Sequence, residues 1–144
     1  MKKIKITGLR NKTIVVGCGQ LGASIANKFS KEGMNLLVVD ENAQSFEQLS
    51  EDFSGYTIVG ECTDLEVLEE AYIKTCKDMV ITTGDDNVNV LVATIAKKLY
   101  NVPNVYVRLS DPNNEILLKG LGVKTIFPLE LSFDKFNLMR GGRN

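Results

Sequence analysis

The feature that most limits the fold is a glycine pattern set between a strand and a helix. Residues 13–16, Thr-Ile-Val-Val, form a β-branched apolar run that ends at Gly17. A short run of this kind bounded by a turn reads as a buried strand. Gly17-Cys18-Gly19-Gln20-Leu21-Gly22 follows at once. Over residues 20–31, Leu21, Ile25, Ala26 and Phe29 recur at helical spacing, and Gly33 stops the pattern. G-x-G-x-x-G is weak alone, but between a strand and a helix it marks a dinucleotide-binding βαβ unit. Gly17 permits the tight turn, Gly19 lets backbone N–H groups approach a pyrophosphate, and Gly22 lets helix and strand pack closely. The phosphate then lies at a helix N-terminus, where unpaired N–H groups and the helix dipole favour negative charge. Gln20 and Leu21 complete the loop and belong to the same candidate site.

The rest of the chain repeats the alternation. Further strands are expected at residues 36–39, 56–59, 79–82, 105–109 and 125–127. Helices are expected at residues 43–53, from an Asp64 cap through Ala71, and at residues 87–100, 112–121 and 129–139. Six strands alternating with six helices, the strands continuously apolar, predict a single α/β domain of Rossmann type. Its doubly wound parallel six-stranded sheet should run in the order 3-2-1-4-5-6. No linker, repeat or low-complexity tract interrupts it. Residues 12–139 are read as the domain, residues 1–11 as an N-terminal extension and residues 140–144 as a tail. Within the extension, residues 3–7 are either an added edge strand or a mobile lead-in.

Composition narrows the function classes. A chain of 144 residues suits one domain and buries enough surface to need no metal or disulfide staple. Lys plus Arg number 17 and Asp plus Glu 18. That balance argues against a nucleic-acid partner, which draws on a basic excess. There is no histidine, which excludes imidazole as a base, shuttle or ligand. Cys18, Cys62 and Cys76 are too far apart for a C-x-x-C pair, so no metal site and no dithiol centre is expected. They read as small buried residues in a reducing, cytoplasmic setting. The N-terminus lacks the apolar core of a signal peptide, and no apolar run approaches a membrane span.

Asp40 closes the second strand, where the fold expects a carboxylate for the ribose hydroxyls, and Glu41 follows it. No basic residue stands between Asp40 and Ser50 to pair with a ribose 2′-phosphate, so NADP is disfavoured against NAD or another adenosine ligand. The Asp85–Asp86 pair admits a general acid/base or metal role, but capping the helix near Asn87 accounts for it more simply. Arg108, at the end of the fifth strand, is equally suited to reach a phosphate or to brace a dimer.

Two further motifs carry a family resemblance. Gly60-Glu61-Cys62-Thr63-Asp64 leads into Leu65-Glu66-Val67-Leu68, and Thr83-Gly84-Asp85-Asp86-Asn87-Val88-Asn89 follows the fourth strand. With the glycine loop and Asp40, they resemble the TrkA-N (KTN, or RCK N) domain of potassium-transport regulators over about residues 12–135. Arg108 and the stretch 122–128 also look like that family. The resemblance implies an adenine-nucleotide cleft for NAD(H), ADP or AMP, pairing into homodimers or rings, and an integral-membrane potassium transporter or channel as partner. It places the protein in the cytoplasm, peripheral to the inner face of the membrane through that partner. By motif, Gly17, Gly19 and Gly22 would hold phosphates and Asp40 the ribose. Glu61 and Cys62 would border the adenine, with Thr63 and Asp64 closing that wall. Thr83, Gly84 and Asp85 would line the far end, braced by Asn89.

Two departures bear on the ligand. The family's usual Gly-Asp-Ala-Thr reads Gly-Glu-Cys-Thr here. Many relatives carry Arg where this chain has Gln20, and a neutral amide cannot offset a terminal phosphate, so ATP is less favoured than NAD(H), ADP or AMP. Full regulators of the family often add a second, smaller domain, and this sequence ends before one could form, so it is read as either a one-domain regulator or a fragment of a longer chain. The alternative is a small NAD-dependent oxidoreductase. Such an enzyme needs an acid/base near the nicotinamide, and neither histidine nor a Tyr-x-x-x-Lys pair is present. No catalytic residue is therefore expected.

Overall fold

The apolar runs are buried because they pair with one another on both edges. In the computed structural model, which describes residues 9–142, β1 (Lys12–Val16) lies between β2 (Leu36–Asp40) and β4 (Cys76–Ile81). β3 (Tyr56–Val59), β5 (Asn104–Arg108) and β6 (Lys124–Ile126) complete a six-stranded sheet in the order β3-β2-β1-β4-β5-β6. Every neighbouring pair is parallel, and the order is the doubly wound one expected from the sequence.

Strand alternation splits the core between the two faces. Ile14, Val16, Met79 and Ile81 meet Val92, Ala93 and Ala96 of α3 (Asp86–Lys98) on one face. Val15, Val38 and Val80 meet Ala23 and Ala26 of α1 (Gln20–Lys31) on the other. β1 and β4 thus end side by side where the chain leaves in opposite directions, and the ends of β1, β2, β4 and β5 open towards one crevice.

Several helices differ from expectation. Among the described residues four α-helices form, and three connections are 3₁₀ turns. Residues 43–53 were expected as one helix, but only Ala43–Gln48 is helical, and it is 3₁₀. Asn27 of α1 accepts from the Ser50 N–H at 2.9 Å, and Ser30 accepts from the Ser54 N–H at 2.9 Å, which pulls that chain off a helical path. Residues 112–121 shorten to a 3₁₀ turn, Pro112–Leu118, held against α3 through Asp86 and ended by left-handed Gly120 and Gly122. Ile73–Thr75 forms a further 3₁₀ turn, entered through Tyr72 at φ 62. β4 starts at Cys76 rather than Met79, and Arg10 donates to the Cys76 and Tyr100 carbonyls ahead of the sheet. Residues 3–7 and the last two residues of the tail lie outside the described residues.

α2 (Leu65–Glu70) is capped by Asp64, whose side chain accepts from the Glu66 N–H. α4 (Pro128–Met139) has no buried residue. Leu129, Leu131, Phe133, Phe136, Leu138 and Met139 are each more than half exposed. The helix was expected to carry more apolar surface than its own sheet covers, and in fact none of its residues is fully buried. No helix of the described residues is long and apolar enough to cross a membrane.

Candidate functional site

The glycine loop is held by backbone hydrogen bonds from both sides. The Gly17 N–H donates to Val39 O at 2.8 Å, and the Thr82 N–H donates to Val16 O at 2.8 Å. Gly17 has φ +92, and a Cβ there would stand 3.0 Å from the Thr82 carbonyl carbon and the Thr83 nitrogen. A Cβ on Gly22 would lie 1.9 Å from Gly17 O and 2.6 Å from the Thr82 hydroxyl, so α1 sits directly on the turn. That buried hydroxyl lies 3.0 Å from Val16 O and 3.1 Å from Gly17 O. Gly19 differs in kind: it caps α1 without a side-chain bond, and a Cβ there would meet nothing within 4 Å. The first N–H groups of a helix have no intrahelical acceptor, so this open glycine leaves a donor cradle facing the crevice.

Asp40 stands beside that cradle. One carboxylate oxygen accepts from the Cys18 N–H at 2.8 Å and the other from the Asn42 N–H at 2.8 Å. A carboxylate oxygen accepts more than one donor, so both retain capacity for a pair of ribose hydroxyls. Glu41, Gly60, Glu61, Cys62 and Thr63 continue the same wall. Gly60 is tight, since a Cβ would stand 2.8 Å from the Val67 side chain. Asp64 was expected to help close this wall, but it is the cap of α2.

The opposite wall comes from Thr82, Thr83, Gly84, Asp85, Val88 and Arg108. Buried Asn89 bonds the Thr83 hydroxyl, and its amide donates to Thr83 O at 3.0 Å and Arg108 O at 2.9 Å. One side chain thereby ties the loop after β4 to the end of β5. The two aspartates divide their work. Asp85 caps α3, accepting from the Asn87 and Val88 N–H groups. Asp86 instead accepts from the Ser110 and Asp111 N–H groups and the Asn114 amide. Burial disfavours its charge, but those donors outweigh burial and hold the Asp86 carboxyl below the usual carboxylate range.

The cleft between these walls has a volume of about 580 Å³, within the range of small-molecule sites. It brings together Gly17, Gly19, Asp40, Glu41, Glu61 and Cys62 with Thr63, Thr83, Gly84, Asp85 and Arg108. Gln20 and Leu21 are not among its lining residues; Gln20 is exposed at the start of α1. Gly22 is buried beneath the loop rather than on its surface. Sequence reasoning missed Thr82, Val88 and Ser45, which also line the cleft. Thr82 carried a signal, a hydroxyl at the end of an apolar strand; Ser45 and Val88 carried none.

The cysteines are poor nucleophiles. Burial foremost, with Asp40 adding, pushes the Cys18 thiol up to about 11. Burial, then Glu41, Asp40 and Glu61, pushes Cys62 up to about 11 despite an opposing backbone hydrogen bond. Cys76, also chiefly through burial, rises to about 12. All three remain thiols near neutral pH, so thiolate chemistry has no agent here.

The residues present fit an adenine nucleotide. The donor cradle at Gly19 suits phosphate, and the strand-end Asp40 suits ribose. The Arg108 Nε is buried with no hydrogen-bond partner among the described residues, on a side chain that lines the cleft. A buried guanidinium donor left unpaired is costly, and an anionic ligand would satisfy it.

A sequence model of the TrkA-N domain matches residues 13–128. The chain belongs to the TrkA-N domain family. This TrkA-N chain is 28% identical over 122 residues to the Trk system potassium uptake protein TrkA of Streptomyces coelicolor, covering 85% of this chain and 55% of that protein. It is 31% identical over 122 residues to the TrkA homolog of Pyrococcus horikoshii, covering 83% and 53%. The chain therefore spans about half the length of the curated relatives it matches.

Among solved structures, the TrkA-N domain of inner membrane protein ybaL from Escherichia coli superposes with TM-score 0.78 at 14% identity, covering 92% of this chain and 99% of that one. The Shewanella denitrificans Kef CTD in AMP-bound form gives TM-score 0.72 at 21% identity, covering 93% and 84%. GsuK bound to ADP gives 0.76 at 18% identity, covering 90% and 34%. The GsuK channel bound to NAD gives 0.72 at 18%, covering 88% and 23%. At these identities the likeness is one of fold.

Proposed function

We propose that this TrkA-N chain is a nucleotide-binding regulatory unit of a potassium uptake transporter or channel. It binds NAD(H), ADP or AMP between the Gly19 cradle and Asp40, with ATP less favoured, and acts by changing shape rather than by turnover. Residues 12–139 form the binding domain, and the partner is an integral-membrane transporter or channel. The protein works on the cytoplasmic face, held to the membrane through that partner. The observation that carries the reading is the convergence of an open glycine cradle, a ribose-type carboxylate and the unpaired Arg108 Nε on one cleft. The curated relatives, named potassium uptake proteins, support a role in potassium transport, and the AMP-, ADP- and NAD-bound folds support the ligand class.

A regulator needs two states that bind the ligand unequally. α4 is the element suited to report them, because β6 ends at Ile126, paired with Arg108 at the cleft, and α4 starts at Pro128. The deciding experiment is potassium uptake in cells with and without the protein, repeated with Gly19→Asp. Loss of nucleotide-dependent uptake control in both is expected. Unchanged uptake, together with NADH oxidation by the purified protein, would establish the oxidoreductase instead.

Asp40→Ala should weaken NAD binding by about 1–3 kcal/mol through lost charge-assisted hydrogen bonds. In the native protein NAD should bind more tightly than NADP, because Asp40 and Glu41 oppose a 2′-phosphate and no basic residue stands at that wall. Calorimetry checks both, and equal NAD and NADP affinities would remove Asp40 from the ribose.

Assembly belongs to the same reading. Six large apolar side chains on α4 are exposed, Leu129, Phe133 and Phe136 at the spacing of one helix face, and apolar surface left open in this way marks an interface. A homodimer closing on α4 is expected by light scattering at micromolar concentration, and Phe133→Asp with Phe136→Asp should shift it to monomer.

A further inference from the structure

β5 loses one of its two neighbours as it reaches the cleft. Its ladder with β4 ends where Ile81 pairs with Val107, one residue before Arg108. On the other side β6 still holds it: Arg108 pairs with Ile126, and the Leu109 N–H donates to Ile126 O at 2.9 Å. Where β4 stops, two side chains of α3 take its place. Asn89 donates to Arg108 O at 2.9 Å. Asp86 accepts from the Ser110 N–H at 2.8 Å through one carboxylate oxygen. Its other oxygen accepts from the Asp111 N–H and from the Asn114 amide, each at 2.9 Å. Positions three apart on a helix share a face, so one face of the first turn of α3 grips the chain on both sides of Leu109. Asp86 is available for this because Asp85 caps the helix. Asp85 and Arg108 line the cleft; Asp86 does not.

Arg108 has little else to fix its direction. Its Nε is buried without a hydrogen-bond partner, and the one ion pair among the described residues joins Lys74 and Glu69. A guanidinium carries its donors in a rigid planar fork, so the backbone beneath it decides where the fork points. Beyond Val107 that backbone is held on the α3 side by Asn89 and Asp86. The Asp86 bonds are charge-assisted and about twice as strong as neutral ones.

We propose that Asp86 is a positioning residue for the ligand's phosphate: without touching the ligand, its carboxylate holds residues 110 and 111 and so aims the Arg108 guanidinium into the cleft. The proposal rests on the nucleotide-binding reading above and adds to it the side chain that keeps Arg108 aligned with the Gly19 cradle.

Charge and position act with opposite signs here. Asp86 is a negative charge next in sequence to a cleft residue, and removing that charge by itself favours an anion. Asp86→Asn keeps the shape, removes the charge and turns an amide N–H₂ towards donors that a carboxylate oxygen had accepted. A residue acting only through its field would give tighter ADP binding in this variant. A positioning residue gives weaker binding.

The test is calorimetry of the whole chain with ADP and with adenosine, which lacks the phosphates. It uses the native protein, Asp86→Asn, Arg108→Met and the double variant. Asp78→Asn is the control, because Asp78 accepts from the Asn104 amide at 2.7 Å and so joins β4 to β5 at the end away from the cleft. Arg108→Met should weaken ADP roughly 10- to 100-fold, the range for a hydrogen bond to a charged group. Asp86→Asn should weaken ADP about five- to tenfold and adenosine less than about twofold, with no further loss in the Arg108→Met background, as for two residues of one network. Asp78→Asn should bind both ligands as the native protein does. Thermal melts establish that each variant is folded. If Asp86→Asn does not fold, Asp86→Glu carries the same comparison, since it keeps the charge but displaces the oxygens by one methylene. Native or tighter ADP binding in the Asp86 variant would overturn the positioning role and leave nucleotide binding intact. So would equal losses for ADP and adenosine, an equal loss in Asp78→Asn, no loss in Arg108→Met, or a full additional loss in the double variant. Failure of the native chain to bind ADP would overturn the role together with the reading on which it rests.

Discussion

Gly22→Ala is expected to destabilise the domain by about 3 kcal/mol, a large share of the roughly 5–15 kcal/mol that holds a protein of this size together. Alanine in a helix interior normally stabilises by about 1 kcal/mol relative to glycine, so the sign is informative. Here the added Cβ would stand 1.9 Å from Gly17 O and 2.6 Å from the Thr82 hydroxyl. Neither neighbour can yield cheaply. Gly17 is pinned at φ +92 with its N–H on Val39 O, and Thr82 is buried between two carbonyls. The helix must lift, and Ala23 and Ala26 then lose contact with Val15 and Val38. A fall in melting temperature of roughly 10 °C should follow, with nucleotide binding lost even below the transition because the cradle moves with α1. A melting point at or above the native one would show that the loop tolerates the methyl group and that the close packing of α1 is not required.

Gly19→Asp should separate stability from binding. Gly19 has φ −78, open to any residue, and a Cβ there meets nothing. Aspartate is also a favourable N-cap, worth about a few tenths of a kcal/mol over glycine, to a helix that has no side-chain cap now. The variant should melt at or slightly above the native temperature. Its carboxylate, however, would occupy the donor cradle and repel a phosphate, lowering nucleotide affinity on the order of 100-fold. Thermal melts without ligand and calorimetry with NAD give the two readings. Native affinity in a folded Gly19→Asp protein would mean that the loop does not hold phosphate, and the proposed function would fall with it.

The pair shows how far a motif reaches. G-x-G-x-x-G marks three positions alike, yet one glycine is required by packing, one by a positive φ, and one only by what enters the cleft. Spacing predicts that all three matter. The atoms each would strike distinguish them: Gly22 would meet Gly17 O and the Thr82 hydroxyl, Gly17 the Thr82 and Thr83 backbone just after β4, and Gly19 nothing.

The strands, the sheet order and the carboxylate at the end of β2 were legible in the sequence because they depend on local features. Apolar runs bury themselves, alternation assigns their faces, and a strand-end acid after a glycine loop stays at the crevice wherever the loops wander. Helix type between the strands was not legible. The residues 43–53 and 112–121 have the right pattern, but hydrogen bonds donated to Asn27, Ser30 and Asp86, all distant in the chain, hold both segments as short 3₁₀ turns. The separate duties of Asp85 and Asp86 are likewise tertiary. Adjacent residues look equivalent as caps until the loop after β5 presents its N–H groups to only one of them. The excess of apolar side chains in residues 129–139 was legible, but not that α4 would bury no residue fully; a helical period fixes which residues share a face, and only packed neighbours decide whether that face is buried.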